Sequence, residues 1–234
     1  MRTFCSEAHH INTRLRSAAN RWWRSKYVLE WLLGALGFLV ILPLLALLAL
    51  LVKVSSPGPA IFRQERVGRN GRAFVLLKFR TMRTEVRGQR SEVSGQCAER
   101  DATFEAGCTA RVTSVGRILR KWKLDELPQL WNVLRGDMSL VGPRPEVRKW
   151  VEAYPERWAK VLTVRPGITD PASIEFRNEE ELLAKAPDPE RAYREEILPR
   201  KLDLYERYVA TQSFWGDVGI LAKTGWVVAG RHSA

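Results

Sequence analysis

The longest apolar stretch of the chain runs from Trp31 to Val52 without one charged residue. As an α-helix this stretch would be about 33 Å long, which is enough to cross the hydrocarbon core of a bilayer. Apolar side chains lie all round such a helix, which disfavours a buried helix of a water-soluble domain. The run also starts late and lacks a small-residue cleavage site, which disfavours a signal peptide. The pattern therefore predicts a membrane helix.

Two features of this helix argue against a simple crossing of the membrane. Pro43 lies near its centre, and proline kinks a helix because it lacks a backbone donor and clashes one turn back. Basic residues flank the run on both sides, and the positive-inside tendency places both flanks on the cytoplasmic face. We therefore predict a re-entrant helix over residues 28–52 that bends at Pro43; the alternative is a kinked single span. The flanking residues are Arg14, Arg16, Arg21, Arg24 and Lys26 before the run and Lys53, Arg63, Arg66 and Arg69 after it.

The segment before the membrane helix mixes arginine with aromatic residues. Trp22 and Trp23 lie among basic residues, a composition typical of a helix at the membrane interface. In such a helix the aromatic rings lie at headgroup depth and the basic groups bind anionic lipid. We predict that residues 1–27 form a basic interfacial segment; the alternative is a disordered basic leader.

The rest of the chain divides into short elements. Two apolar runs, 61–67 and 73–79, flank an Asn-Gly dipeptide, which predicts an antiparallel β-hairpin. Residues 84–110 are polar and predict a long loop. The predicted fold class is α+β, with the re-entrant helix followed by a small, mainly helical cytosolic domain over 53–234 that contains the hairpin and membrane-associated helices. Helices are predicted near 114–122, 127–134, 146–161, 178–186, 189–210 and 213–230, with a short buried segment at 138–142.

The charge of the chain is uneven. Lysine and arginine number 38 against 26 aspartate and glutamate, and residues 53–90 alone carry ten basic and two acidic residues. This excess predicts an anionic partner, and nucleic acid, an anionic lipid surface and a phosphorylated small substrate all satisfy it. The three cysteines form no C-x-x-C motif and the three histidines lie near the termini. That disfavours a disulfide scaffold, a cysteine zinc site and a histidine-based triad.

Asp125 and Glu126 are the strongest candidates for catalysis. They follow four basic residues and open a predicted helix that has Pro128 in its first turn. Neighbouring carboxylates raise one another's pKa, which can leave one ionised and the other able to accept a proton. The structural alternative is that the pair caps the helix N-terminus, where acidic residues are common.

Several cations near this pair suit phosphate oxygens. Lys78 and Arg80 lie two residues apart at the end of the second hairpin strand. Arg120 ends the helix before the acidic pair, and a rigid Gly-Pro-Arg-Pro turn holds Arg144. Arginine binds phosphate through a bidentate fork, which lysine lacks. The alternative for each of them is a solvated surface cation.

Taken in order, these motifs resemble the bacterial sugar transferase family, which consists of small monotopic phosphoglycosyl transferases. The resemblance covers roughly residues 28–228. Together the motifs are specific enough to outweigh the capping alternative for the acidic pair. The matching segments are 56–68 (SPGPAIFRQERVG), 78–82 (KFRTM), 111–117 (RVTSVGR), 124–145 (LDELPQLWNVLRGDMSLVGPRP), 165–169 (RPGIT) and 178–183 (NEEELL).

The resemblance implies transfer of a sugar 1-phosphate from a UDP-sugar to undecaprenyl phosphate at the cytoplasmic face of the bacterial inner membrane. UMP is released, and glycan assembly begins. Asp125 would be the nucleophile that forms a covalent phosphosugar intermediate, and a ligand of Mg²⁺. Glu126 would be a base or an orienting group for the lipid phosphate. The implied substrate-binding residues are Lys78, Arg80, Arg120 and Arg144.

The implied partners are the UDP-sugar, undecaprenyl phosphate and membrane lipids. Nucleic acid is disfavoured because the basic stretch 63–90 holds only two aromatic residues. The sugar, the glycan pathway and homodimer formation stay open. The chain departs from the family at Leu42, where serine is usual before Pro43, and at 169–172, which replaces a Gly-Trp-Ala ending. The alternative function is a non-catalytic basic adaptor at the membrane surface.

Overall fold

The computed structural model describes residues 2–83 and 111–230, with the backbone alone for residues 2–25 and 180. Within these ranges the predicted α+β class is confirmed, because the chain is mostly helical and carries a small antiparallel hairpin. The predicted loop over 84–110 lies outside the described residues. The side chains of Trp22 and Trp23 lie outside them as well, so their place at the membrane interface stays a prediction.

One long helix, α1, runs from Arg2 to Ser55 and contains Pro43. No break in helical backbone separates the predicted interfacial segment from the predicted membrane segment. The part Lys26–Ser55 is long and apolar enough to cross a membrane, judged by length and composition. Many of its large side chains are exposed, for example Leu39 and Val40 at 68% each, so this surface requires an apolar surrounding.

The predicted hairpin follows α1 and is confirmed. Strand β1 (Ile61–Val67) pairs with strand β2 (Ala73–Phe79) along its whole length. Asn70 and Gly71 in the connection have φ angles of 57° and 74°. Asparagine and glycine adopt this left-handed region at the lowest cost, which is why the dipeptide predicted the turn.

Two short helices and a tight turn follow residue 110. Helix α2 is Ser114–Lys121 and helix α3 is Gln129–Arg135, and a 3₁₀ turn, Leu124–Glu126, lies between them. A β-carbon at Gly116 would lie 2.1 Å from the carbonyl oxygen of Thr81. Glycine therefore lets α2 pack directly against the backbone just after the hairpin.

A two-stranded parallel sheet was not predicted. Strand β3 (Ser139–Val141) pairs with strand β4 (Gly167–Thr169). The sequence indicated only a buried segment at 138–142, because strands of three residues are too short to show an alternating pattern. A β-carbon at Gly167 would lie 2.1 Å from the amide nitrogen of Gly142, so the two glycines permit the close approach of the strand ends.

Prolines divide two helices that were predicted as continuous. The predicted helix 146–161 stops at residue 153 and restarts at Pro155, which lacks a backbone donor. The predicted helix 189–210 is interrupted by a π-helical turn shortly before Pro199 for the same reason. The helices after β3 are α4 (Arg148–Ala153), α5 (Pro155–Val161), α6 (Pro171–Glu175), α7 (Glu179–Lys185), α8 (Pro189–Ala192), α9 (Leu198–Thr211) and α10 (Phe214–Val228), with the π-helical turn at Tyr193–Ile197.

The hydrophobic core has separate parts. One cluster packs Leu48 and Val52 of α1 against Phe79 and Leu119, so the end of the apolar helix belongs to the core of the domain. The larger cluster lies among α4, α5, α7 and α9. Its largest members are Trp150, Trp158, Leu198, Leu202 and Tyr205.

The other end of the apolar run also contacts the domain. Lys26 Nζ lies 2.8 Å from the Asp217 carboxylate and donates to the Tyr208 hydroxyl at 2.9 Å. Ser139 Oγ donates to the Glu30 carboxylate at 2.6 Å. All five side chains are buried. Helix α1 is therefore held to one domain at both ends of its apolar run.

Candidate active site

A cavity of about 1110 Å³ lies between the end of the hairpin, α2, the 3₁₀ turn and the α6–α7 region. Sites for one small ligand commonly measure roughly 300–1,000 Å³, so this cavity is large enough for a sizeable ligand. Asp125 and Glu126 line it, together with Lys78, Arg120 and Arg144. Arg80 lines the cavity as well, so the fold brings the predicted acidic pair and all four predicted cations to one cavity.

The 3₁₀ turn presents the acidic pair to the cavity. Lys123, just before the turn, has a φ of 54°, and this left-handed residue redirects the chain after α2. Asp125 and Glu126 are each only 8% exposed. Neither carboxylate is at an N-cap position, because Lys123 is the N-cap residue of the 3₁₀ turn and Pro128 that of α3. The capping alternative is therefore wrong, and the burial of two carboxylates is not explained by helix capping.

The two carboxyl groups have opposite pKa shifts. Burial raises the pKa of Asp125, the neighbouring Glu126 charge raises it further, and nearby cations offset only part of the rise. Burial also acts to raise the pKa of Glu126, but the charge and hydrogen bonds of Arg144 outweigh it, and this pKa falls to about 2. The pair consists of a firmly ionised Glu126 and an Asp125 that titrates above its usual range. This agrees with the splitting expected from the sequence.

Arg144 determines the direction of this split. Its Nη2 donates to Glu126 Oε1 at 2.6 Å and its Nη1 to Glu126 Oε2 at 3.3 Å, a bidentate contact. The Arg144 side chain is 27% exposed and lines the cavity. The sequence suggested a phosphate contact for this arginine. The structure shows a direct contact with Glu126, and the Arg144 side chain also belongs to the cavity lining.

The cations contributed by the hairpin end and α2 form what we call the basic wall of the cavity. Arg120 Nε donates to Thr81 Oγ1 at 2.9 Å, which orients its guanidinium. Lys78 lies close enough to lower the pKa of both acidic residues. The sequence analysis did not assign Arg117 and Lys121 to the site. Arg120 and Lys121 lie three and four residues after Arg117 along α2, a spacing that places side chains on one face of a helix. Besides Lys78 and Arg120, the basic wall comprises Arg83, Arg111, Arg117, Lys121 and Lys123.

Arg80 lines the cavity and also holds the end of α1. Its Nη2 donates to the Ser56 carbonyl at 2.6 Å and to Ser56 Oγ at 3.0 Å, and its Nη1 donates to the Pro57 carbonyl at 2.9 Å. A cation is favourable at this place because it follows the C-terminus of α1, where carbonyl groups lack helical partners. The buried Arg80 therefore joins α1 to the hairpin, a structural role that the sequence analysis did not foresee, and its role in substrate binding stays a prediction.

The acidic pair also fits a magnesium ion that arrives with its substrate. Asp125 Oδ1 is buried and has no hydrogen-bond partner. Over residues 2–83 and 111–230 no group of three or more histidine, cysteine or acidic side chains is arranged to hold a metal ion alone. Mg²⁺ commonly binds through one or two carboxylates plus substrate phosphates, and Asp125 with a diphosphate supplies such a set.

We expect Arg120→Lys to lower kcat/KM for a phosphorylated substrate by roughly 30- to 150-fold, because lysine cannot reproduce a bidentate, oriented contact to phosphate. Lys121 is the matched control, since it is the next residue, is exposed and lies at the same cavity. Lys121→Ala should change kcat/KM by only a few-fold. Equal, mild effects at both positions in steady-state assays would show that the basic wall acts only as a diffuse charge.

The fold and the site together define a class of protein in which a buried carboxylate pair and oriented cations lie beside an apolar anchor helix. The chain belongs to the bacterial sugar transferase family, whose sequence model matches residues 21–231. This match includes the apolar helix, the hairpin, the acidic pair and α10. It confirms the family that the sequence motifs suggested.

Relatives from other bacteria share more than a third of their aligned residues with this chain. An uncharacterized sugar transferase of Haemophilus influenzae is 37% identical over 213 residues, which are 89% of this chain and 42% of the relative. The undecaprenyl-phosphate galactose phosphotransferase of Salmonella typhimurium is 38% identical over 181 residues, 76% of this chain and 35% of the relative. The UDP-glucose:undecaprenyl-phosphate glucose-1-phosphate transferase of Caulobacter vibrioides is 38% identical over 203 residues, 85% of this chain and 67% of the relative. The chain spans less than half the length of the first two.

Proposed function

We propose that the protein transfers a sugar 1-phosphate from a UDP-sugar to undecaprenyl phosphate at the cytoplasmic face of the bacterial inner membrane, releasing UMP and starting glycan assembly. The observation that carries the proposal is the split carboxylate pair beside the basic wall. Displacement at phosphorus requires an ionisable nucleophile and cations that offset anionic charge. The names of the Salmonella typhimurium and Caulobacter vibrioides relatives, which specify undecaprenyl phosphate, support the acceptor.

In the proposed first step, ionised Asp125 attacks the phosphorus that carries the sugar. A bond forms between a carboxylate oxygen and this phosphorus. The bond from phosphorus to the oxygen that bridges to UMP breaks, and UMP leaves with its electron pair. The basic wall stabilises the charge on the departing phosphate, and the product is a covalent phosphosugar on Asp125.

In the proposed second step, an oxygen of undecaprenyl phosphate attacks the same phosphorus and the Asp125 carboxylate leaves. A phosphate monoester has a second pKa near 6, so the acceptor is mostly ionised at pH 7 and needs no strong base. Glu126, with a pKa of about 2, is a poor proton acceptor. Of the two roles considered for Glu126, we therefore propose the orienting one: it holds Arg144 toward the incoming phosphate.

Magnesium is part of this proposal. When bound, Mg²⁺ would offset charge on the diphosphate. Asp125 would hold the ion, and the buried Oδ1 without a hydrogen-bond partner supports this role. The basic wall would bind the phosphate oxygens that the ion leaves free.

The contacts of α1 support the re-entrant topology. A helix that crosses the bilayer places the ends of its apolar run about 30 Å apart, on opposite sides of the hydrocarbon core. Lys26 and Glu30 at one end and Leu48 and Val52 at the other contact the same domain. A domain on one face of the membrane reaches both ends if the apolar segment bends near Pro43, so we propose that it enters and returns on the cytoplasmic side.

We expect both ends of the chain to be shielded in intact cells, because a re-entrant helix leaves them on the cytoplasmic face. The measurement uses Asn12→Cys and Gly230→Cys, each in a chain without its native cysteines, and a membrane-impermeant maleimide. Both should react only after the cells are permeabilised. Labelling of Asn12→Cys alone in intact cells would show that α1 spans the membrane.

The proposed activity is tested by UMP release from a panel of UDP-sugars, together with radiolabel transfer to undecaprenyl phosphate. We expect release of UMP and formation of lipid product with at least one UDP-sugar. EDTA should abolish both, and Mg²⁺ should restore them. A non-catalytic membrane adaptor would bind anionic vesicles but release no UMP. Activity that persists in EDTA would remove the metal ion from the mechanism.

A further inference from the structure

The cavity has a second part that the proposed chemistry does not use. In this part, carboxylates line the cavity and form ion pairs with cations, whereas the basic wall consists of cations. Glu146 Oε2 lies 3.1 Å from Arg66 Nη1, and Glu179 Oε2 lies 2.5 Å from Lys201 Nζ. Arg177 and Glu181 line the same part of the cavity, so acidic and basic side chains balance there. Because these charges cancel, this part of the cavity is a poor site for a diphosphate, in contrast to the basic wall.

The paired groups are held in fixed positions. Lys201 is only 4% exposed, and its Nζ lies 4.9 Å from the centre of the Tyr193 ring. The Tyr193 hydroxyl in turn donates to Glu146 Oε1 at 2.5 Å. By contrast, 24% of the Glu179 side chain is exposed. The buried lysine therefore fixes a carboxylate that keeps an accessible edge at the cavity.

This part of the cavity begins close to the acidic pair. Glu146 is two residues beyond Arg144, the partner of Glu126, and two residues of extended chain span at most about 7 Å. In the proposed reaction the sugar is attached to the phosphorus that Asp125 attacks, so it must lie next to the acidic pair. Sugar hydroxyl groups need hydrogen-bond acceptors and donors, which a fixed carboxylate–ammonium pair provides. The half-buried ring of Phe176 adds an apolar surface to the same lining.

We propose that Glu179, held by Lys201, is a specificity-determining residue that accepts hydrogen bonds from hydroxyl groups of the transferred sugar. The inference rests on the proposed function and deepens it by assigning a place for the sugar. A site built to bind a hydroxyl group discriminates against substrates that present it differently, because the buried polar group then loses its partner. Substitution of Glu179 should therefore change the choice among sugars and leave nucleotide binding unaltered.

The test compares wild type with Glu179→Gln on UDP-glucose, UDP-galactose and their N-acetyl derivatives, and measures the inhibition constant of UMP in parallel. We expect kcat/KM for the preferred UDP-sugar to fall about 10- to 150-fold, as for loss of a hydrogen bond to a charged group. The ratio of kcat/KM between two epimeric sugars should change at least about 5-fold. The inhibition constant of UMP should stay within about 2-fold.

The matched control is Glu195→Gln. It removes a carboxylate that pairs with Arg191 at 2.9 Å, is 55% exposed and lies outside the cavity lining. This control should change none of the three readouts. If Glu179→Gln fails to fold, Glu179→Met with Lys201→Met replaces the pair by apolar groups, a change that buried ion pairs often tolerate. The same shift in sugar ratio is expected of this double variant.

Two results would overturn the inference. An equal loss of activity on every UDP-sugar, with a lower melting temperature, would assign Glu179 a structural role. A parallel rise in the UMP inhibition constant would place the nucleotide in this part of the cavity. Failure of the proposed function is distinguishable from both, because wild type would then release no UMP from any UDP-sugar.

Discussion

Asp125→Asn is expected to abolish turnover, with kcat/KM reduced by more than about 10³-fold, because an amide cannot attack phosphorus as an ionised carboxylate does. Wild type incubated with UDP-sugar and no acceptor should carry a phosphosugar on Asp125 that intact-protein and peptide mass spectrometry detect. Glu126→Gln should reduce turnover more than adduct formation, since the role proposed for Glu126 belongs to the lipid step. Full activity of Asp125→Asn, or an adduct on another residue, would contradict the assignment.

The same substitution should stabilise the fold at neutral pH. The pKa of Asp125 is raised by burial in the folded state, so its contribution favours folding below the unfolded pKa and is lost as pH rises through the folded pKa. Asparagine removes the cost of a buried charge without a partner for Oδ1. A gain of about 1 kcal/mol would raise the melting temperature of a chain of this size by about 2–4 °C.

In wild type, kcat/KM should fall as pH is lowered through the raised pKa of Asp125.

Arg144→Met is expected to lower kcat/KM by at least about 200-fold and to destabilise the protein. Removing the guanidinium leaves Glu126 buried without its partner, and breaking such a pair costs about 3–5 kcal/mol. The depressed pKa of Glu126 stabilises the wild-type fold above its unfolded pKa, and this contribution is lost as pH falls toward about 2. In the variant the pKa of Glu126 should rise, and the acid limb of the pH–activity profile should become steeper. Kinetics and thermal unfolding between pH 4 and 8 measure both effects.

Arg157→Met is the control for this prediction. Arg157 also contacts two carboxylates, Glu206 at 2.8 Å and Asp203 at 2.5 Å, but it lies outside the cavity lining. Its loss should leave kcat/KM within about 2-fold. Glu126→Gln combined with Arg144→Met should recover stability without activity. Wild-type kinetics in Arg144→Met would show that Arg144 is only a surface cation.

Local sequence signals predicted much of this molecule. The Asn-Gly dipeptide predicted the hairpin and its strand bounds, because a left-handed turn between apolar runs has few alternatives. The same holds for α2 and α3, whose ends lie within two residues of the predicted ones. The prediction of two continuous helices was wrong where Pro155 and Pro199 interrupt the backbone hydrogen bonds of a helix, although both prolines are visible in the sequence.

Contacts between distant residues were not predictable from these patterns. Arg80 was placed on a phosphate because its strand position was known, whereas its carbonyl partners at Ser56 and Pro57 come from another element. The parallel pairing of β3 with β4 joins segments almost thirty residues apart, and nothing local encodes it. Glu179 and Lys201 likewise meet only after α7 and α9 pack together.

The sequence alone determined the family and the long apolar helix, and it singled out the acidic pair as a candidate site, because hydropathy, turn chemistry and motif spacing are properties of neighbouring residues. Only the tertiary structure decided that the pKa values of the two carboxyl groups shift in opposite directions. Burial raises the pKa of one, and Arg144, eighteen residues beyond Glu126, lowers the pKa of the other. Desolvation and Coulomb interactions depend on distances in space, and the fold sets those distances by packing the 3₁₀ turn, the loop after β3 and the basic wall around one cavity.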